Sequence, residues 1–260
     1  MPAGASCSIR PSSDHAPPVP ASRVPDSNAS TQASLLDPRS SLAERLQTLQ
    51  RQLPPSCRLL AVSKGQPVAA IREAYGLGVR SFAESRLQEA AAKQEALADL
   101  ADIDWHFIGR LQANKARAVL QRFPTVHSLD SLALAERLQR IAAEEALSPA
   151  VLLQVKLRPD PAKGGFEPSV LRQQWPLLRQ LTPLRPIGLM TIPPLGLPPA
   201  ERQRLFSDGA ALAAELGLTE LSMGMSDDWP EAMAAGSTWV RLGTALFGGR
   251  GDPQPLHRSA

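Results

Sequence analysis

Lys64 closes the run Leu59-Leu60-Ala61-Val62-Ser63-Lys64, and Gly65-Gln66-Pro67 follows it. Four apolar residues in a row suit a short strand buried on both faces, and Pro67 suits the first turn of a helix. A lysine at the end of such a strand has its ammonium where desolvation depresses its pKa, which is what an amine needs to attack a carbonyl. The plain alternative is a lysine that snorkels out of the strand end into water. Two later stretches bear on the choice: Ser222-Met223-Gly224-Met225-Ser226-Asp227-Asp228 and Arg241-Leu242-Gly243-Thr244. Small residues there leave backbone N–H groups open to an anion, and each stretch leads into a helix whose dipole favours negative charge. Taken singly, one is a turn and the other a helix cap.

The elements that must position these residues follow from periodicity. Leu42, Leu46 and Leu49 fall at helical spacing, so residues 41–52 form a first helix, ended by Pro54-Pro55. Strands are expected at Leu59–Ser63, Val79–Ala83, Asp104–Ile108, Thr125–His127, Ala150–Val155, Ile187–Thr191, Glu220–Met223 and Trp239–Leu242. Helical stretches lie between them near 67–76, 86–99, 112–122, 131–146, 169–181, 199–216 and 228–235, with a last one from Thr244. Asp130 is placed to cap the helix at Ser131, and Gly76, Gly217 and Gly236 to end helices. Eight strands alternating with helices are the signature of an α/β protein built as a single (β/α)8 TIM barrel. The rival is an open doubly wound sheet. It normally carries a glycine-rich turn after its first strand, which Ser63-Lys64-Gly65-Gln66 is not.

A barrel collects its chemistry at the C-terminal ends of its strands and often holds phosphate between the loops after strands seven and eight. Those loops supply Gly224 and Ser226 on one side, Gly243 and Thr244 on the other, with Lys64 at strand one. A lysine with a phosphate site points to pyridoxal 5′-phosphate (PLP) held as an internal aldimine on Lys64. Arg241 is then placed to face the pyridine nitrogen. A guanidinium cannot accept a proton, so it leaves that nitrogen unprotonated and the ring a weaker electron sink. Pairing of Arg241 with a barrel carboxylate is the alternative. His106 reads as a core histidine bonded to backbone, or as a group near the ring. Gln112, Asn114 and Lys115 read as a helix cap or as mouth residues. Asp227 and Asp228 read as structural, opening a helix, and Trp105, Trp175 and Trp239 as packing.

Composition narrows the classes further. The 260 residues carry 28 basic and 25 acidic side chains, spread rather than clustered, and aromatics make up only 4%. No basic stripe interleaved with aromatics marks a nucleic-acid binder. No apolar run reaches the length of a membrane helix. Cys7 and Cys57 give neither a metal-ligand spacing nor a disulfide framework, and read as reduced cysteines of a cytoplasmic protein. Residues 1–38, rich in Pro, Ser and Ala, are expected to be a disordered tail. The barrel is expected over 39–252, and 253–260 as a short C-terminal tail.

Five motifs carry a family resemblance: Leu60-Ala61-Val62-Ser63-Lys64, Trp105-His106-Phe107-Ile108-Gly109 with Gln112, Asn114 and Lys115, Gly188-Leu189-Met190, Ser222 to Asp228, and Arg241 to Thr244. Together they resemble the pyridoxal phosphate homeostasis proteins, which share the barrel of the alanine racemase N-terminal domain. Leu152–Pro161 and Met190–Leu197 look most like cyanobacterial members. The resemblance implies a type III PLP fold, monomeric, with the cofactor on Lys64. It implies phosphate contacts at Ser226, Gly243 and Thr244, pyridine contact from Arg241, and Ser222 and Met190 close by. It implies buffering of PLP, with effects on vitamin B6 and amino-acid balance and transfer to apo-PLP enzymes as a possible outlet, no catalytic residues and no metal. Ser85 stands where the family commonly has asparagine. The contrasting class is an amino-acid racemase or related PLP enzyme. Barrel racemases take a second acid/base, a tyrosine, from an added β domain. Here the chain ends soon after Phe247-Gly248, and its one tyrosine, Tyr75, falls in the first barrel helix.

Overall fold

The alternation of apolar runs and amphipathic segments becomes a closed ring of eight parallel strands in chain order, β1 completing the circle against β8. The computed structural model of the protein describes residues 40–249. The expected tails, and Cys7, lie outside them. The strands are β1 (Arg58–Val62), β2 (Ser81–Glu84), β3 (Asp104–Phe107), β4 (Thr125–Leu129), β5 (Ala150–Gln154), β6 (Arg185–Met190), β7 (Glu220–Ser222) and β8 (Trp239–Leu242). The helices are α1 (Leu42–Gln52), α2 (Val68–Gly76), α3 (Leu87–Ala96), α4 (Ala116–Leu120), α5 (Leu132–Glu144), α6 (Pro168–Leu178), α7 (Pro199–Glu215), α8 (Trp229–Ala234) and α9 (Thr244–Phe247).

Alternate strand residues face opposite ways. Val126, Val151, Leu153, Leu189, Leu221 and Met223 pack outward against helices, while Leu60, Val62, Ala83 and Trp239 form a separate buried cluster. α5 shows the matching helical pattern, burying Leu134, Ala135, Leu138, Ile141 and Ala142. α1 opens on a capping box: the Glu44 N–H donates to Ser41 Oγ at 3.2 Å, and the Ser41 N–H donates to Glu44 Oε2 at 2.7 Å. Its buried Arg45 donates from Nε to the Leu246 carbonyl of α9 at 2.7 Å, tying the two ends of the described chain together.

Several boundaries differ from the sequence reading. The expected strand ends miss by up to two residues, because strand ends are set by pairing with neighbours that periodicity does not see. Residues 112–122 divide into a 3-10 turn, Ala113–Lys115, and α4. Ser131 rather than Asp130 caps α5, accepting from the Leu134 N–H at 3.4 Å. Gly217 and Gly236 do follow their helices with positive φ, but after α2 that role falls to Gly78, and Gly76 is the last helical residue. Cys57 is free and buried, and burial pushes its thiol up to about 11, so it is inert at neutral pH. Among the described residues no helix is long and apolar enough to cross a membrane, and no cluster of His, Cys, Asp and Glu can hold a metal ion.

Candidate functional site

Lys64 lies just past the end of β1, in the turn Ser63–Gln66 that the Gln66 N–H closes on the Ser63 carbonyl at 2.9 Å. Gly65 sits third in that turn with φ +73°, a conformation side-chain-bearing residues rarely adopt. The Lys64 side chain is exposed and makes no hydrogen bond or ion pair among the described residues. This corrects the expectation that strand burial desolvates it: the buried run stops at Ser63, and Lys64 stands in the open mouth.

What is buried is the apparatus on either side of it. Ser63 donates from Oγ to Glu84 Oε1 at 2.7 Å, and Lys93 of α3 donates from Nζ to the Ser63 carbonyl and to Glu84 Oε1, both at 2.7 Å. Lys93 also pairs with Glu89 at 2.7 Å, and Glu89 accepts from the Gly65 N–H. Both chain neighbours of Lys64 are thus held by one ionic cluster. Glu84 and Lys93 are almost completely buried, and burial raises the Glu84 carboxyl above its ordinary range against the hydrogen bonds from Lys93 and Ser63. Neither Glu84 nor Lys93 is singled out by the sequence, because they meet only when α3 packs on β2.

The loops after β7 and β8 meet as the sequence suggests. The Arg241 N–H donates to the Gly224 carbonyl at 2.9 Å, and the Ala245 N–H to Ser226 Oγ at 3.3 Å. Gly224 takes φ +91°, and a Cβ there would stand 2.8 Å from the Ala232 Cβ, so only glycine lets α8 approach. Asp228 is buried and accepts from the Met225 N–H at 2.6 Å, closing the loop rather than capping α8. The backbone N–H groups of Ser226, Gly243 and Thr244 have no hydrogen-bond partner among the described residues. This is a donor set suited to a phosphate.

Arg241 lies within the barrel, 3% exposed, and among the described residues pairs with no carboxylate. Nη1 donates to the Ser222 carbonyl and, at 2.8 Å, to Ser222 Oγ; Nη2 donates to the Thr191 carbonyl at 2.9 Å. Burial pushes the guanidinium down to about 10, still protonated at neutral pH. Its Nε–H has no hydrogen-bond partner among the described residues. Met190 pairs in register with Ser222, and Leu60 of β1 with Arg241, so Met190, Ser222, Arg241 and the Lys64 turn occupy neighbouring strands. A fixed cation with a spare donor, open N–H groups and a free lysine fit the ring nitrogen, phosphate and aldehyde of PLP.

The sequence reading of His106 needs correction. It bonds side chains rather than backbone, with Nδ1 2.9 Å from His127 Nε2 and Nε2 2.7 Å from Asp104 Oδ2. His127 enters the sequence reading only as the end of a strand, although two histidines on successive strands are a signal. Gln112, Asn114 and Lys115 are exposed on the 3-10 turn and its approach. Tyr75 donates to Asp102 and stacks under Arg80, whose guanidinium lies 3.9 Å from its ring centroid.

A family model described as alanine racemase, N-terminal domain, matches residues 39–251. A pyridoxal phosphate homeostasis protein of Synechocystis sp. is 55% identical over 204 residues, covering 76% of this chain and 94% of its own length. The chain belongs to the pyridoxal phosphate homeostasis protein family. The family member of Pseudomonas aeruginosa is 47% identical over 204 residues, 76% of this chain and 86% of its own. Among solved structures, PipY of Synechococcus elongatus with PLP bound shares 55% identity at a TM-score of 0.77, covering 80% of this chain and all of its own. PipY without PLP gives 56% and 0.79, with the same coverage. The cyanobacterial resemblance of this family member is therefore also found in the comparison. An alanine racemase of Clostridium difficile shares 14% identity at a TM-score of 0.65 and is alike in fold alone.

Proposed function

We propose that this protein binds and buffers PLP as part of vitamin B6 homeostasis and amino-acid balance. The functional unit is residues 39–252, acting as a cytoplasmic monomer. Lys64 Nζ takes the cofactor's aldehyde carbon, a condensation that releases one water. Ser226, Gly243 and Thr244 hold the phosphate through backbone N–H groups and hydroxyls, Arg241 faces the pyridine nitrogen, and Ser222 and Met190 line the ring. Bound PLP supplies a reactive aldehyde and an electron-withdrawing ring. The chain's own groups bind and orient it, and Arg241, a cation that cannot take up a proton, keeps the ring nitrogen unprotonated. The observation that carries this reading is the buried Arg241, fixed by three hydrogen bonds with Nε–H to spare, on the strand beside the one that leads to Lys64.

A carrier is favoured over a racemase because, among the described residues, no tyrosine stands at the site as a second acid/base. Tyr75 is committed to Asp102 on α2, outside the barrel. Apo-PLP enzymes are the proposed recipients of released cofactor. The test is incubation of purified protein with PLP, then borohydride reduction and peptide mapping. The expected result is a yellow protein with one cofactor fixed to the Lys64 peptide. Colourless protein that fixes none would sink the reading.

A further inference from the structure

The barrel interior contains a continuous row of polar groups that the proposed cofactor contacts use only at one end. Arg241 Nη1 donates to Ser222 Oγ at 2.8 Å, and Ser222 Oγ lies 2.9 Å from His127 Nδ1. His127 Nε2 lies 2.9 Å from His106 Nδ1, and His106 Nε2 lies 2.7 Å from Asp104 Oδ2. The row passes through β8, β7, β4 and β3. Arg241, Ser222, His127 and His106 are all buried, whereas the Asp104 side chain, on the first residue of β3, is 44% exposed. The row therefore runs from the cofactor mouth toward the opposite end of the barrel.

With both histidines neutral, the Asp104 end dictates every proton in the row. A guanidinium only donates, and an ionised carboxylate only accepts. The hydrogen bond from His106 holds the Asp104 carboxyl below its ordinary range, so it is ionised at neutral pH. Asp104 must then accept from His106 Nε2–H, which leaves His106 Nδ1 as an acceptor. His127 Nε2–H fills that acceptor and leaves His127 Nδ1 to accept from the Ser222 hydroxyl. The Ser222 hydrogen thus points away from Arg241, whose N–H meets a lone pair. The pattern requires both histidines to be neutral. Burial first, and the charge of Arg241 beside it, hold His127 well below its ordinary value. Reversing the row would make Ser222 Oγ the acceptor for both His127 Nδ1–H and Arg241 Nη1–H and leave its own hydroxyl hydrogen without a partner in the row.

We infer that Asp104, His106, His127 and Ser222 form a one-directional positioning relay that fixes the guanidinium of Arg241 and through it the grip on the pyridine ring. The inference rests on the reading of Arg241 as the ring-facing cation. None of the four is a catalytic residue; they act through Arg241.

The test has two arms. ¹⁵N NMR of the imidazoles in cofactor-free protein at neutral pH reads the tautomers, and PLP titration reads the affinity. In wild type both histidines are expected neutral with the proton on Nε2. Asp104→Ala removes the accepting end, so both tautomers should become populated and PLP affinity fall by about tenfold, the worth of one good hydrogen bond. Asp104→Asn, whose amide oxygen accepts the same bond, should restore both. Asp104 is half-exposed and its removal leaves the buried packing in place, so the variant folds. Wild-type tautomers in Asp104→Ala with unchanged affinity would overturn the relay. So would a proton on Nδ1 of His127 in a wild type that still binds PLP. Wild-type protein with the expected tautomers but no PLP uptake would instead overturn the assignment of Arg241 to the ring, and the relay's grip on it.

Discussion

Lys93→Ala is expected to lower the free energy of unfolding by about 3–5 kcal/mol, read from urea denaturation at neutral pH. The size comes less from the lost attraction than from what stays behind. Glu84 is fully buried, and among the described residues its Oε2 already has no hydrogen-bond partner. Without Lys93 its Oε1 keeps only the Ser63 hydroxyl. The sign of the pH dependence follows. Burial already sets the folded carboxyl above its usual 4.5, and loss of Lys93 removes the largest group holding it down. The folded state of the variant therefore binds a proton more tightly than the unfolded state. The penalty is small below pH 4.5 and grows as pH rises through the elevated folded value. Replacing both partners, as Glu84→Leu with Lys93→Met, should be less damaging than Lys93→Ala alone. A Lys93→Ala protein within about 1 kcal/mol of wild type would show that the cluster does not hold the Lys64 turn.

Lys64→Ala should have the opposite profile, with little change in stability and a large loss of binding. The side chain is exposed and unpaired among the described residues, so the thermal midpoint of the cofactor-free protein should stay where it is. Borohydride should fix no PLP at this position. Overall PLP affinity should drop by at least about a hundredfold, roughly 2.7 kcal/mol, as only the noncovalent phosphate and ring contacts remain. The same pair of proteins separates carrier from enzyme. Wild type incubated with PLP and L-alanine is expected to form no D-alanine beyond what free PLP produces. Sustained formation that vanishes in Lys64→Ala would favour the racemase.

The parts of this molecule legible in its sequence are those whose signal is local. Short apolar runs bounded by glycine and proline mark the strands, and the loops after β7 and β8 announce themselves by Gly224, Ser226, Gly243 and Thr244. Lys64 and Arg241 are legible because each terminates or punctuates such a run. The surroundings of Lys64 are not, because Lys93 and Glu84 meet between a helix and a strand nine residues apart. His127 escapes for a related reason. Its inward orientation depends on the phase of β4, whose pairing with β5 shifts register between Val126 and Leu129. Its partner Ser222 is 95 residues away. The burial of Arg241 is equally out of reach, since its carbonyl partners are Thr191, just past β6, and Ser222 of β7.

The contact of Arg45 with Leu246 joins groups 201 residues apart, and it places a cation at the C-terminal end of the helix whose first residues are assigned to the phosphate. An anion at one end of α9 and a guanidinium at the other stabilise the same dipole. Loading the site should therefore damp local unfolding of α9, and α1 with it, because the two open together. Slower amide hydrogen exchange in Leu42–Gln52 would then report cofactor occupancy from a helix that supplies none of the proposed contacts.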